Sequence, residues 1–127
     1  MSRTFSTLTQ AELDAYRKAL RSRTAVRREA SERLLKQARA VASRAALLLK
    51  DEFGVKKVVV LGSLLQPHLF HSHSDVDLAV WGLTGRNYYR AVGLLQSLDP
   101  EIQVDLIAFE QASISMQETI LREGQEL

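Results

Sequence analysis

Residues 58–82 read VVVLGSLLQPHLFHSHSDVDLAVWG, and this stretch contains the strongest local patterns of the chain. It opens on β-branched and apolar residues without polar alternation, which predicts a buried strand over residues 57–61. A glycine ends that run. The stretch closes on a second predicted strand, residues 75–81, in which both aspartates and Ala79 share one face while the apolar residues between them share the other.

Gly62 and Ser63 directly follow the first predicted strand. A glycine here lets the backbone approach a ligand closely, and the N–H groups of a turn together with a serine hydroxyl can hold phosphate oxygens. Gly-Ser after a strand is more often only a turn. No Gly-Lys follows, so the pair is not a Walker-type phosphate loop. Gly62 and Ser63 are therefore a candidate phosphate site that needs support from other residues.

That support comes from three aspartates. Asp75 and Asp77 lie two apart on the predicted strand, so their carboxylates project from one face and repel each other unless a cation lies between them. Hard oxygen ligands of this kind suit Mg²⁺. Asp105 lies in an apolar run on a third predicted strand, residues 103–109, where a lone carboxylate is costly to bury. If the two strands are neighbours, the three aspartates form a two-metal phosphoryl or nucleotidyl transfer site. A solvated strand end is the alternative.

Helices are predicted around these strands. Thr9 and Glu12 have capping-box spacing, which predicts a short helix to about residue 22. A second helix is predicted from Ala25 to Glu52, because apolar residues recur at three- and four-residue steps, and Gly54 is expected to end it in the left-handed conformation. Two further helices are predicted over residues 86–98 and 112–122. The order α-α-β-β-α-β-α predicts an α/β fold with a small mixed sheet of three or slightly more strands and packed helices.

Composition narrows the class of protein. The 127 residues are 46% hydrophobic and 25% charged, as in ordinary globular proteins, and the absence of cysteine excludes disulfides and thiolate metal sites. No signal pattern or membrane-spanning apolar run is found, so we expect a cytoplasmic protein. Residues 1–50 carry twelve Lys and Arg against four Asp and Glu, whereas residues 51–127 carry five against eleven. A nucleic acid, an acidic protein partner and a solvated helix face would each explain the basic half.

The stretch 58–82, followed by Val104-Asp-Leu-Ile107 and by Ile120-Leu-Arg-Glu-Gly124, resembles the DNA polymerase beta nucleotidyltransferase superfamily, and in particular its minimal nucleotidyltransferases. That pattern is a strand, Gly-Ser, a spacer, Asp-x-Asp, and a third Asp on a later strand. The resemblance implies one nucleotidyltransferase domain over residues 1–127, with N-terminal helices in residues 1–53 and an α/β core in residues 54–127.

The resemblance also implies roles for five residues. Gly62 and Ser63 would hold the phosphates of the nucleotide. Asp75 and Asp77 would bind the metals, with two Mg²⁺ ions expected, and Asp105 would be the third ligand and candidate base. The spacer is eleven residues instead of the usual ten, and the usual basic element after Gly-Ser is missing. Charge neutralisation of a triphosphate would then need His68 or an arginine from elsewhere.

Minimal nucleotidyltransferases are commonly the antitoxin of a pair with a HEPN-domain ribonuclease toxin. The resemblance implies transfer of AMP from ATP to a tyrosine of that toxin, with no membrane involved and nucleic acid reached only through the toxin. Occlusion of the toxin without catalysis, and nucleotidyl transfer to RNA or a small molecule, are the alternatives. His68, His71 and His73 share one loop, where they could bind zinc or flank an anion site.

Overall fold

A computed structural model describes residues 8–65 and 75–127. Its helices are α1 (Gln10–Phe53), α2 (Gly85–Gln96) and α3 (Ile114–Glu123), and its strands are β1 (Val58–Leu61), β2 (Val76–Val80), β3 (Val104–Ala108) and β4 (Gln125–Glu126). Short 3₁₀ helices cover Gly62–Leu65 and Phe109–Gln111. The chain divides into two compact units, Met1–Arg33 and Leu34–Leu127. No helix in the described ranges combines the length and apolarity needed to cross a membrane.

The prediction of two N-terminal helices was wrong, because α1 is one helix of 44 residues. The expected break near residues 23–24 contains neither proline nor glycine, and the hydroxyl of Thr24 donates to the carbonyl of Leu20 at 2.9 Å within the helix. The two predicted ends are confirmed. The N–H of Glu12 donates to Oγ1 of Thr9 at 3.1 Å, and Gly54 follows the last turn with φ +67°.

The unit Leu34–Leu127 contains the hydrophobic core. The predicted apolar face of α1 is confirmed, and most of the side chains that it buries are small, which lets the helix approach the sheet closely. The buried residues are Ala38, Val41, Ala42, Ala45, Ala46 and Leu49. They pack with one face of the sheet, where alternate residues of β1, β2 and β3 point toward the helices.

In the part of the chain that the structure describes, the sheet has four strands in the order β3-β2-β1-β4, and the predicted mixed sheet is confirmed. β1 pairs antiparallel with β2 and β4, and β2 pairs parallel with β3. Helix α2 connects the two parallel strands, as such a pairing requires. Strand β4 was not predicted, because two polar residues give no periodic signal.

Among residues 8–65 and 75–127, helix α3 covers part of the second face of the sheet. Ile120 of α3 packs with Val59, Leu61 and Ala79 in a smaller apolar cluster on this face. Because side chains alternate along a strand, Asp77 shares the face with Ala79 and Asp105 shares it with Ile107. The aspartates therefore lie on the face of the sheet that is opposite to the main core.

Candidate active site

The pairing of β2 with β3 brings the predicted carboxylates together. Asp77 is the direct partner of Asp105 across the two parallel strands, and neighbouring strands lie about 4.8 Å apart. Asp75 precedes β2 and lies two residues before Asp77, so it belongs to the same face. Three of the five predicted site residues thus meet at one end of two adjacent strands.

The three carboxyl groups interact electrostatically. Burial raises the pKa of Asp77 to about 6, and the charges of Asp105 and Asp75 and a hydrogen bond with Asp105 act in the same direction. Burial also raises the pKa of Asp75, again with the charge of Asp105 and a hydrogen bond to it. Within residues 8–65 and 75–127, no Lys, Arg or His side chain lies within ion-pair distance of this cluster. The aspartates form a group of negative charges whose mutual repulsion a cation would relieve.

Gly62 brings the backbone against this cluster. It follows β1 directly, has φ +75°, and a Cβ built on it would lie 2.9 Å from Oδ2 of Asp77. Only glycine both tolerates that φ and leaves the carboxylate in place. Ser63 is the next residue of the 3₁₀ turn, so the Gly-Ser turn directly adjoins the aspartates.

The donor set fits a hard divalent cation that is shared with a ligand. In the described part of the chain no three carboxylate or imidazole side chains form a group able to hold a metal ion. Mg²⁺ does not need such a group, because it is commonly bound by one or two carboxylates together with water and substrate phosphates. Asp75 and Asp77 meet that requirement. His68, His71 and His73, and with them the zinc alternative, lie outside the described residues.

Sequence reasoning missed a cavity beside the site. A cavity of about 530 Å³ lies against the last three residues of β3 and the first turns of α2, and its lining includes Ile107, Thr84, Tyr88, Tyr89 and Gln111. Ile107 is two residues from Asp105 on the same strand and on the same face. In the sequence, the pair of tyrosines at the start of α2 is the feature that could have indicated the cavity. Of these two residues, Tyr89 is mostly exposed, with 75% of its surface accessible.

Tyr88 and Trp81 have structural roles. The hydroxyl of Tyr88 donates to the carbonyl of Leu106 at 2.7 Å. Trp81 stacks on Phe109 with ring centroids 4.6 Å apart. Both aromatic side chains are therefore held by contacts within the fold.

Comparison with known proteins identifies a family and several similar folds. The family described as polymerase beta, nucleotidyltransferase matches residues 45–127. A toxin–antitoxin structure with AMP-PNP shares the fold at a TM-score of 0.57 and 21% identity, covering 67% of this chain and 70% of the other. The toxin–antitoxin MntA-HepT gives a TM-score of 0.52 and 21% identity, covering 69% of each chain. No curated protein matches.

The resemblance noted in the sequence is thereby confirmed at the level of the family. The matched region contains the Gly-Ser turn, the Asp-x-Asp pair and the third aspartate, and the structure brings the carboxylates of these motifs onto one face of the sheet. With the sequence match and the solved folds in agreement, the chain belongs to the polymerase beta nucleotidyltransferase family.

Proposed function

We propose that this chain is a Mg²⁺-dependent nucleotidyltransferase that acts as an antitoxin, transferring AMP from ATP to a tyrosine of a HEPN-domain ribonuclease toxin. The observation that supports this most is the pairing of Asp77 with Asp105 beside Gly62. It joins the three-carboxylate cluster to the Gly-Ser turn. Membership of the family supports the class of reaction.

The choice of substrate and partner is supported by the solved folds. One similar structure is a toxin–antitoxin with AMP-PNP, a non-hydrolysable analogue of ATP. Another is the toxin–antitoxin MntA-HepT, and a third is a mutant of that complex in which two aspartates, two positions apart, are replaced by glutamate. Asp75 and Asp77 have the same separation in this chain. ATP as the nucleotide and a HEPN toxin as the partner are therefore our proposals for this protein.

Each residue of the site has a proposed role in binding the cation or the nucleotide. Asp75 and Asp77 would hold the divalent cations, while the backbone at Gly62 and the hydroxyl of Ser63 would hold phosphate oxygens. Asp105 would join them as a third oxygen ligand on cation binding, because the three carboxylates do not form a group able to hold a metal ion in the described structure. When bound, Mg²⁺ supplies charge neutralisation for the phosphates and lowers the pKa of the acceptor hydroxyl. Since the pKa of Asp77 is about 6, this carboxylate is mostly ionised and able to bind a cation at neutral pH.

The reaction is an in-line substitution at the α-phosphorus of ATP. The tyrosine oxygen forms a bond to that phosphorus, the bond to the bridging oxygen breaks, and pyrophosphate leaves with the electron pair. Asp105 accepts the proton of the tyrosine hydroxyl. The tyrosine then carries AMP, a bulky group with a negative charge, which would block the chemistry of the ribonuclease.

The experiment uses ATP labelled at the α-phosphate, Mg²⁺ and a HEPN-domain protein as the acceptor, chosen first from the genes that neighbour this one. Label should move to the HEPN protein, and ATP labelled at the γ-phosphate should transfer none. Asp75→Asn and Asp77→Asn should abolish transfer, while Asp51→Asn, which changes an exposed carboxylate on α1, should leave it unchanged. Replacing the acceptor tyrosine of the partner by phenylalanine should also remove the label.

Three outcomes would contradict this function. A tight complex with the HEPN protein and no transferred label would show an antitoxin that acts by occlusion. Label appearing on RNA, or on an added small molecule, would identify a different acceptor. Transfer that survives Asp77→Asn would remove the aspartate cluster from the mechanism.

A further inference from the structure

The first unit of the chain carries a concentrated positive charge. Residues 15–28, AYRKALRSRTAVRR, contain six cations and no carboxylate, and all of them lie on α1. We call these residues the basic segment. Its cations are Arg17, Lys18, Arg21, Arg23, Arg27 and Arg28, and all six are exposed.

Nothing in the described structure neutralises this charge. No carboxylate of residues 8–65 or 75–127 lies within ion-pair distance of any of the six. Arg17 with Arg21 and Arg23 with Arg27 are like charges four residues apart on one helix, which destabilises a helix by a few tenths of a kcal/mol per pair. No residue of α1 before Ala38 is buried, so core packing does not offset this repulsion. An anionic ligand would offset the repulsion between these cations.

The distribution of the cations around the helix indicates the kind of anion. At 100° per residue, the six side chains cover an arc of about 220°, more than half of the circumference. The remaining arc holds small side chains and one valine. They are Ala15, Ala19, Ser22 and Val26.

An acidic patch on a protein faces a helix from one side and would leave part of this arc unpaired. A nucleic-acid groove differs, because phosphates flank a helix on both sides, and the major groove of DNA admits a helix. From Arg17 to Arg28 the helix rises about 17 Å, a length that passes about ten phosphates of a duplex. We therefore propose that the basic segment binds the phosphate backbone of a nucleic acid.

This activity is separate from the proposed transferase. The family match begins at residue 45, beyond the basic segment, and the proposal involves neither ATP nor the aspartates. It also goes beyond the sequence-based expectation that nucleic acid is reached only through a toxin.

The test measures fluorescence anisotropy of a labelled 30-base-pair duplex, as DNA and as RNA, with the full chain in EDTA and without nucleotide. Binding should weaken steeply between 50 and 200 mM salt, with a log–log slope of about −5 for six phosphate contacts on DNA. The triple variant Arg17→Gln, Arg21→Gln, Arg28→Gln should flatten that slope by about 2.7 and bind at least about tenfold more weakly. Comparing the two duplexes identifies which nucleic acid is preferred.

The matched control removes three exposed cations elsewhere: Lys36→Gln, Lys56→Gln, Arg122→Gln. It makes the same change in net charge and should bind as the wild type does. Equal weakening by both triple variants would overturn the proposal, because overall charge would then explain the binding. No binding of either duplex at 50 mM salt would also overturn it. Stronger binding to polyglutamate than to the duplexes would assign the segment to an acidic protein instead. Circular dichroism verifies that every variant keeps its helix.

Discussion

The missing side chain of Gly62 provides the space for the carboxylate of Asp77: a Cβ at Gly62 would lie 2.9 Å from Oδ2 of Asp77. The turn after β1 and the aspartate of β2 thus constrain each other. A substitution at Gly62 therefore acts on the carboxylate of Asp77, which belongs to the proposed metal site.

Gly62→Ala should therefore have two costs. The φ of +75° is unfavourable for alanine, and the new methyl group displaces the carboxylate. We expect a loss of stability of about 1–3 kcal/mol and a loss of MgATP binding. Gly54→Ala is the control, since Gly54 has a similar φ of +67° with nothing within 4 Å of a Cβ. Urea unfolding measures the loss of stability, and calorimetric titration measures MgATP binding. Equal effects of the two variants on MgATP binding would contradict the coupling between Gly62 and Asp77.

The raised pKa of Asp77 predicts how stability depends on pH. The folded state binds this proton with a pKa of about 6, against 3.8 for the ordinary group, so the folded state binds more protons than the unfolded state between those values. In EDTA, the contribution of Asp77 to stability should fall as pH rises from about 4 to 6. Asp77→Asn should be more stable than the wild type at pH 7, and the difference should vanish near pH 4.

Asp99 supplies a control, because its pKa is shifted in the direction opposite to that of Asp77. Hydrogen bonds from Gln37, and then from the backbone of Glu101, hold the pKa of Asp99 below its ordinary value. The contribution of Asp99 is present above pH 3.8 and is lost as pH falls through the folded-state pKa. Thermal unfolding of Asp99→Asn should show no gain in stability at pH 7. A gain equal to that of Asp77→Asn would show that removal of any carboxylate stabilises this chain.

Binding of MgATP should also depend on pH. Protonated Asp77 cannot bind a cation, so affinity should fall below pH 6 and be about tenfold weaker at pH 5 than at its plateau. Calorimetric titration at pH 5, 6 and 7.5 measures this dependence. Removal of Mg²⁺ with EDTA should abolish tight ATP binding at every pH. Affinity that does not change between pH 5 and 7.5 would exclude Asp77 as a ligand.

The outer edge of β3 is covered by side chains of α2. Tyr88 donates to the carbonyl of Leu106 at 2.7 Å, and Gln96 donates to the carbonyl of Val104 at 2.8 Å. Tyr88→Phe leaves one half-buried carbonyl without this partner, and we expect a loss of about 1 kcal/mol in the free energy of unfolding. Tyr89→Phe, at a mostly exposed ring, should change it by less than about 0.5 kcal/mol. Similar losses for both variants would contradict a protective role for the Tyr88 hydroxyl.

Much of this architecture could be predicted from sequence. The continuous valines of β1, the alternation of β2 and the aspartate within β3 are strong local patterns, and the family pattern related Asp105 to Asp75 and Asp77. The continuity of α1 was not predicted, because the apolar residues at three- and four-residue steps that indicated the second helix do not continue through the basic segment. The cavity beside β3 depends on how α2 lies against the strand, which no local pattern encodes. The raised pKa of Asp77 likewise follows from burial and from neighbours that are distant in sequence.

The partial cover of the second sheet face has an evolutionary consequence. Along β2, Ala79 belongs to the apolar cluster under α3, whereas Asp77, two residues earlier, belongs to the carboxylate cluster. The same strand therefore carries packing residues at one end and the proposed site residues at the other. Changes in the segments around the aspartates can alter which acceptor is recognised while the packed end keeps the sheet intact. One small fold can in this way come to recognise different acceptors while its packed sheet stays the same.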